Sequence, residues 1–301
     1  MPEITISRTA SHIRKLFEIL LQHPDGLKAA EALKALAEVT QLTPYEQGTY
    51  ASTGGRRFEK IVRFATVDCV KAGWLLKDRG VWTVTDAGRS AMSDYPESEA
   101  FYREAIRLYR AWRDAAAPEE IDETSESVDQ AEIESTGDAR ITYEQAEEQA
   151  WAEIESHIRT MLPYEFQEMV ADLLKALGYH IAWVSPPGKD GGVDIIAHVD
   201  PLGTQSPRIK VQVKRVAHRV DLQTLNSFLA IIETDDVGLY VSTGGFTRDA
   251  EEAARRQTAR KITLIDLNRL VDLWIEAYEK LEEKGRRRLP LSPIYFLTPE
   301  V

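Results

Sequence analysis

VDIIAHVDPLGTQSPRIKVQVK, Val193–Lys214, holds one strand-forming run, Val193 to Val199, and most of a second that continues from Ile209 to Val216. Between them lies Asp200-Pro201-Leu202-Gly203, a turn sequence. Side chains alternate along a strand, so Gln212 and Lys214 share one face while Val211 and Val213 point to the core on the other. A hairpin closed at the turn sets Asp194 beside Gln212 and Lys214. The Gly-rich lead-in Gly188-Lys189-Asp190-Gly191-Gly192 enters the first strand. Asp190 within it is read as a turn cap or a second ligand.

A carboxylate (Asp194), an amide oxygen (Gln212), the backbone carbonyl of Val213 and an ammonium group (Lys214) converge in this arrangement. Mg²⁺ takes hard oxygen ligands and keeps several waters, so Asp194, Gln212 and Val213 suffice as protein ligands, with Mn²⁺ as a substitute. Such a metal polarises a phosphoryl oxygen and lowers the pKa of a bound water. The Lys214 ammonium orients that water and stabilises the growing negative charge. Asp194, Gln212 and Lys214 are the expected catalytic residues.

The surrounding pattern alternates between helix and strand. A helix spans about Tyr164 to Leu177 and stops at Gly178. The strand Tyr179 to Val184 precedes the hairpin. A helix near Asp221 to Glu233, a buried strand Val237 to Ser242, a helix at about Arg248 to Arg260, the strand Ile262 to Ile265 and a long helix from Asn268 to Lys284 follow it. This is a three-layer α/β domain with a mixed sheet. The loop Ser242-Thr243-Gly244-Gly245-Phe246-Thr247 reads as a phosphate-holding turn or, more plainly, as a loop ending in an N-cap at Thr247. Lys189, Arg215, His218 and Arg219 flank the site and suit a negatively charged polymer. His180 and His198 have no cysteine or helical histidine partner in the pattern and carry no zinc expectation. The apolar tail Leu289 to Leu297 is expected to pack back onto a domain or a partner chain.

The N-terminal part has a different rhythm. Ile13, Leu16, Phe17, Leu20 and Leu21 form one helical face, and a second helix covers about Lys28 to Val39. A third covers Arg56 to Ala72. Trp74 to Lys77 and Val81 to Thr85 flank a turn at Asp78-Arg79-Gly80. Three helices followed by a hairpin is the order of a winged helix. In that motif the last helix before the wing enters the major groove. Arg56, Lys60 and Arg63 fall on one face of it, opposite the apolar stripe, with Arg57 beside them, while Lys77 and Arg79 lie at the wing. These are the expected DNA-binding residues, with Lys189 and Arg215 in the C-terminal half. The same pattern also suits an amphipathic helix with a solvated basic face, or a module for protein contacts.

Composition sets outer bounds. The chain has 301 residues, 43% hydrophobic and 29% charged, which suits two globular domains. No apolar run is long enough to cross a membrane, the first residues lack a secretory h-region, and Cys69 is the only cysteine. A cytoplasmic protein without a membrane partner is expected. The net charge of −12 argues against nucleic acid until it is located: between Glu119 and Glu148 there are twelve acidic residues and one basic residue, Arg140. Nearly all the negative charge therefore sits in one segment. It reads as a solvated tether or, in a sharper version, as an acidic arm that mimics DNA and blocks a basic site. The expected organisation is a winged helix over 1–115, an acidic flexible linker over 116–142 and an α/β domain over 143–301.

On several motifs the chain resembles the Mrr-type restriction endonucleases of the PD-(D/E)xK nuclease superfamily. In the C-terminal half they are Phe166-Gln167-Glu168-Met169-Val170, Leu177-Gly178-Tyr179, Asp190-Gly191-Gly192-Val193-Asp194, Gln212-Val213-Lys214 and Thr243-Gly244-Gly245-Phe246-Thr247. In the N-terminal half they are Arg57-Phe58, Lys71-Ala72-Gly73 and Gly80 to Thr85. The resemblance implies a restriction-endonuclease-like fold and a defence nuclease hydrolysing phosphodiesters of double-stranded, often modified (methylated) DNA. It makes Asp194 the metal-binding acid, Lys214 the catalytic lysine and Gln212 the glutamine typical of the Mrr branch. The superfamily also uses a first-helix acid, which in Mrr-like proteins commonly follows the phenylalanine. That position is Gln167 here, with Glu168 or Glu165 as substitutes. Cutting both strands needs two sites, hence a homodimer. The alternative is a non-catalytic DNA-binding regulator that keeps the nuclease fold.

Overall fold

The computed structural model describes residues 4–49, 55–116, 129–186, 191–258 and 260–295. It divides into two compact units, the first reaching Trp151 and the second spanning Ala152–Ile294.

The first unit opens with α1 (Ile6–Leu21), β1 (Leu27–Lys28), α2 (Ala29–Val39), α3 (Pro44–Gln47) and α4 (Arg57–Lys71). A hairpin of β2 (Leu75–Asp78) and β3 (Val81–Val84) follows, then α5 (Asp86–Asp94) and α6 (Ser98–Ala116). The sheet order is β1-β3-β2, all antiparallel. The hairpin turns on Arg79 and Gly80, both at positive φ (48° and 76°), the geometry a tight two-residue turn requires. The apolar face of α1 meets Phe58, Val62 and Trp82 in one buried core. The winged-helix order expected from sequence is present, with β1 and the short α3 added.

α7 (Asp129–Thr160) begins well before Tyr143, where the sequence pattern places the return of helix. The second half of the expected flexible linker is thus helical; its first half, 117–128, lies outside the described residues.

The second unit continues with α8 (Pro163–Ala176), β4 (His180–Val184), β5 (Ile195–His198), β6 (Arg208–Lys214), α9 (Leu222–Leu229), β7 (Asp236–Ser242), α10 (Arg248–Arg256), β8 (Lys261–Ile265), α11 (Leu267–Glu276) and α12 (Glu283–Arg288). The sheet runs β4-β5-β6-β7-β8, antiparallel across the first three strands and parallel across the last three. Leucines of α8 and α11 pack with Ile209, Val237 and Leu239 on one face. Phe228 of α9 and Ala250 of α10 pack with Tyr240 on the other. This is the expected three-layer α/β domain. The single long helix expected from Asn268 to Lys284 is instead broken after Glu276. Leu281 is buried beyond the break, and Arg288 at the end of α12 meets Asp172 of α8 at 3.0 Å.

The start of the apolar tail does pack: Leu289 is buried and the Leu291 N–H donates to the Tyr278 hydroxyl at 2.9 Å. Ile294 and Tyr295 stand exposed, and the rest lies outside the described residues.

Candidate active site on the second unit

In the β5–β6 register Ile195 stands opposite Val211, which brings Asp194, just before β5, beside the end of β6 that carries Gln212 and Val213. Asp194 sits one residue before β5 yet extends the ladder, since its N–H donates to the Val211 carbonyl and its carbonyl accepts from the Ser185 N–H, each at 2.8 Å. Its carboxylate Oδ2 accepts the Val213 N–H at 2.7 Å. The turn is held by the Asp200 carboxylate. Backbone N–H groups of Gln205, Thr204 and Leu202 donate to it and hold its pKa down at about 2.

Gln212 and Lys214 line one cleft of about 520 Å³ with Gly191, Gly192 and residues of α9. The glycines are the described part of the Gly-rich lead-in; Lys189 and Asp190 lie outside the described residues. The Gln212 face is less open than strand alternation suggests. α9 covers part of it, and Gln212 is buried.

Gln167, in the first-helix position, is buried and reaches the same corner. Its Nε2 donates to the Ser185 carbonyl at 2.9 Å and to the Asp194 carbonyl at 3.4 Å. The side chain therefore fixes the backbone that carries Asp194. The two acids considered as substitutes are directed elsewhere. Glu168 is bound by Arg288 and lies 3.6 Å from Lys284, while the Glu165 carboxylate accepts the Leu162 N–H at the start of α8. Helical geometry accounts for this: one residue along α8 turns a side chain by about 100°.

A divalent cation fits this donor set. Asp194 supplies charge, Gln212 an amide oxygen and Val213 a carbonyl, all hard ligands of the kind Mg²⁺ takes with retained waters. Among the described residues no three His, Cys, Asp or Glu side chains gather as a metal cluster, so a cation here would lean on amide, carbonyl and water oxygens.

Two hydroxyl side chains adjoin this set: Tyr240, which the sequence pattern did not single out, and Ser242, read there only as the start of the loop before Thr247. In the parallel β6–β7 register Tyr240 pairs with Gln212 and Ser242 with Lys214, so they share the site's face. Their hydroxyls are buried and have no hydrogen-bond partner among the described residues. Burial, followed by the charges of Asp194 and Asp221, pushes the Tyr240 phenol up to about 12. The available signal was polar groups inside the apolar run 237–242.

The loop after β7 is built for backbone proximity. Thr243 Oγ1 accepts the Val216 N–H at 2.9 Å and donates to the Val216 carbonyl at 2.8 Å. Thr247 caps α10 through the Ala250 N–H, the plainer of its two readings. Arg215 is half-buried and its Nη1 donates to the Arg159 carbonyl at 2.6 Å.

On the first unit the expected DNA-binding residues separate. Arg56 is exposed and 3.4 Å from Glu59. Arg57 lies over the Tyr45 ring, and Lys60 lines an open groove with Thr9 and Tyr102. Arg63 does not sit on an exposed face with Arg56 and Lys60. It is buried beneath α7, where Glu144 and Glu148 neutralise it at 2.9 and 2.8 Å. Lys77 pairs with Glu144 at 2.7 Å, and Arg79 lies over the Trp151 ring.

Comparison with known proteins follows the same division. A family model described as "Mrr N-terminal domain" matches residues 11–94, and one described as "Restriction endonuclease" matches residues 158–274. No curated protein matches. A solved structure, "MspJI Restriction Endonuclease in Complex with 27-mer Oligonucleotide", is 18% identical, with a TM-score of 0.32, over 69% of this chain and 47% of that one. The chain spans about half the length of that protein, and a likeness this low carries no structural argument. Among the described residues no helix is long and apolar enough to cross a membrane. With the N-terminal and catalytic domains matched in order over two thirds of its length, the chain belongs to the Mrr-type restriction endonucleases.

Proposed function

We propose that this protein hydrolyses phosphodiester bonds of double-stranded DNA with Mg²⁺, in defence against foreign or modified, including methylated, DNA. The observation that carries the reading is the Asp194 carboxylate fastened to the Val213 N–H, on the strand that presents Gln212 and Lys214 to one cleft. Asp194, Gln212 and the Val213 carbonyl would hold the cation. A bound Mg²⁺ supplies Lewis-acid polarisation of the scissile phosphate. Lys214 orients the attacking water and offsets charge growing on the phosphoryl oxygens. Gln167 positions Asp194 through the backbone. Arg56, Arg57 and Lys60 contact the duplex from the first unit, with Lys189 as a further DNA-binding residue. A homodimer places one site on each strand.

The test is cleavage of methylated and unmethylated plasmid with Mg²⁺, with Mn²⁺ and with EDTA, by wild type, Asp194→Ala and Lys214→Ala. Cleavage by wild type that is lost in EDTA and in both variants is expected. Equal cleavage by Asp194→Ala sinks the proposal.

A second reading, a DNA-binding regulator that keeps the fold without catalysis, is favoured by the Gln167 amide, whose N–H groups are spent on backbone carbonyls where an acid is expected. Steeply salt-dependent DNA binding with no nicking under any metal would support it.

A further inference from the structure

In the first unit two cations and an indole N–H converge on two carboxylates of α7. Arg63 donates through Nη1 to Glu144 Oε1 at 2.9 Å and through Nη2 to Glu148 Oε2 at 2.8 Å. Lys77 Nζ donates to Glu144 Oε2 at 2.7 Å, and the Trp82 indole N–H donates to Glu144 Oε1 at 3.2 Å. The two cations lie over the Trp82 ring, 5.5 and 4.6 Å from its centroid. Donors come from the last helix before the wing and from both wing strands; the acceptors come from α7. Glu144 and Glu148 are one helical turn apart, so a single face of α7 delivers both.

The donor chemistry is that of a phosphate site. One guanidinium N–H, an ammonium and an indole N–H converge on the Glu144 carboxylate while the second guanidinium N–H takes Glu148, and a backbone phosphate offers acceptors to the same donors. The wing tip is covered as well: Arg79 lies over Trp151, and Gly80 is so close to α7 that a Cβ there would fall 2.7 Å from Glu148 Cγ. The helix face also carries internal repulsion. Burial, then the charge of Asp78, holds the Glu147 carboxyl above its ordinary range. A buried ion pair is weak evidence for stability on its own, because desolvation offsets its attraction. A removable plug fits these facts better than a permanent strap.

We propose that Arg63, Lys77 and the Trp82 N–H form a phosphate seat for the DNA backbone, which Glu144 and Glu148 of α7 occupy in the DNA-free protein, so that α7 must leave for the wing to engage. The inference rests on the reading that the first unit binds DNA.

The experiment uses the full chain in EDTA, so that nothing is cut, and a fluorescently labelled duplex of about 20 base pairs. Wild type and the Glu144→Gln/Glu148→Gln variant are titrated at several salt concentrations. Binding by the variant should be about tenfold tighter, and adding Arg63→Gln/Lys77→Gln should abolish the gain. Hydrogen exchange of wild-type residues 143–151 should speed up when duplex is added, a readout that needs no variant to fold. Measurable wild-type binding with no gain in the glutamine variant, or unchanged or slowed exchange in 143–151, would overturn the plug alone. No binding by either protein at low salt would overturn DNA binding by the first unit, and the seat with it.

Discussion

The Asp194 carboxylate is held by the Val213 N–H at 2.7 Å, so the acid that precedes β5 is oriented by the strand that carries Gln212 and Lys214. Charge and orientation can therefore be separated. Asp194→Asn keeps an oxygen that accepts from Val213 and loses the charge, whereas Asp194→Ala loses both. Plasmid cleavage should fall at least about a thousandfold in each, as expected when a charge-stabilising group is removed. Only the alanine variant should also lower the urea unfolding free energy, by about 1–3 kcal/mol for an orphaned N–H. Equal destabilisation of the two variants would contradict this.

The far end of β6 is anchored by charge. Asp236 is buried and receives Lys210 at 2.8 Å and Arg208 at 3.1 Å. Burial works to raise its pKa, but these two donors outweigh it and hold the carboxyl below its usual range. A depressed pKa contributes stability that is present at neutral pH and lost as pH falls through the folded value. Asp236→Asn should cost about 2 kcal/mol at pH 7, since Lys210 keeps the Ile231 carbonyl and Glu233 but loses its closest carboxylate, and less at pH 3. Urea midpoints at the two pH values check the difference.

Two carboxyls of the first unit titrate in opposite senses. Burial alone would raise Glu46; hydrogen bonds from Arg8, the Thr43 N–H and His12 reverse that and bring it to about 2. Its contribution is complete above the unfolded value, near 4.5, and disappears as pH falls toward 2. Asp68 is pushed up to about 6 by burial, opposed by the Tyr102 hydroxyl and Arg110. Its contribution is present below about 4 and lost as pH rises to about 6. Asp68→Asn should therefore raise the melting temperature at pH 8 and leave it nearly unchanged at pH 4. A loss at pH 8 would show that the charged form is favoured.

Gly244 has no room for a side chain. A Cβ there would lie 2.1 Å from the His218 carbonyl oxygen, a backbone atom that cannot turn away. Gly244→Ala should displace the loop that Thr243 ties to Val216 and destabilise the second unit by about 2–3 kcal/mol. Gly245→Ala, with open space around it, should cost only the strain of its positive φ, about 1 kcal/mol. Denaturant unfolding of both variants compares the two effects.

The hairpin that brings Asp194 beside β6 was legible because period-two alternation and a turn fix it from local sequence alone. Arg63 was misplaced for the opposite reason. Its helical spacing matches an exposed basic face, while the carboxylates that bury it lie about eighty residues downstream in a segment whose composition resembles a tether. Gln167 shows a similar gap. Sequence identifies a missing acid, but the use of its amide N–H groups on the Ser185 and Asp194 carbonyls depends on where α8 meets the strand ends. The break after Glu276 was hidden because apolar spacing persists to Leu281, while the Arg288–Asp172 pair that ties α12 to α8 joins residues far apart in sequence.

The junction at β6, antiparallel to β5 on one edge and parallel to β7 on the other, leaves no tolerance for misalignment. A one-residue slip would carry Gln212 and Lys214 to the opposite side of the sheet, under α8, and release the Asp194 carboxylate from Val213. A misregistered molecule would lack the whole constellation rather than hold a weakened copy of it. In a refolded preparation, the fraction of molecules with a competent centre should equal the fraction with native strand alignment, so a titration of working centres would also count correctly aligned chains.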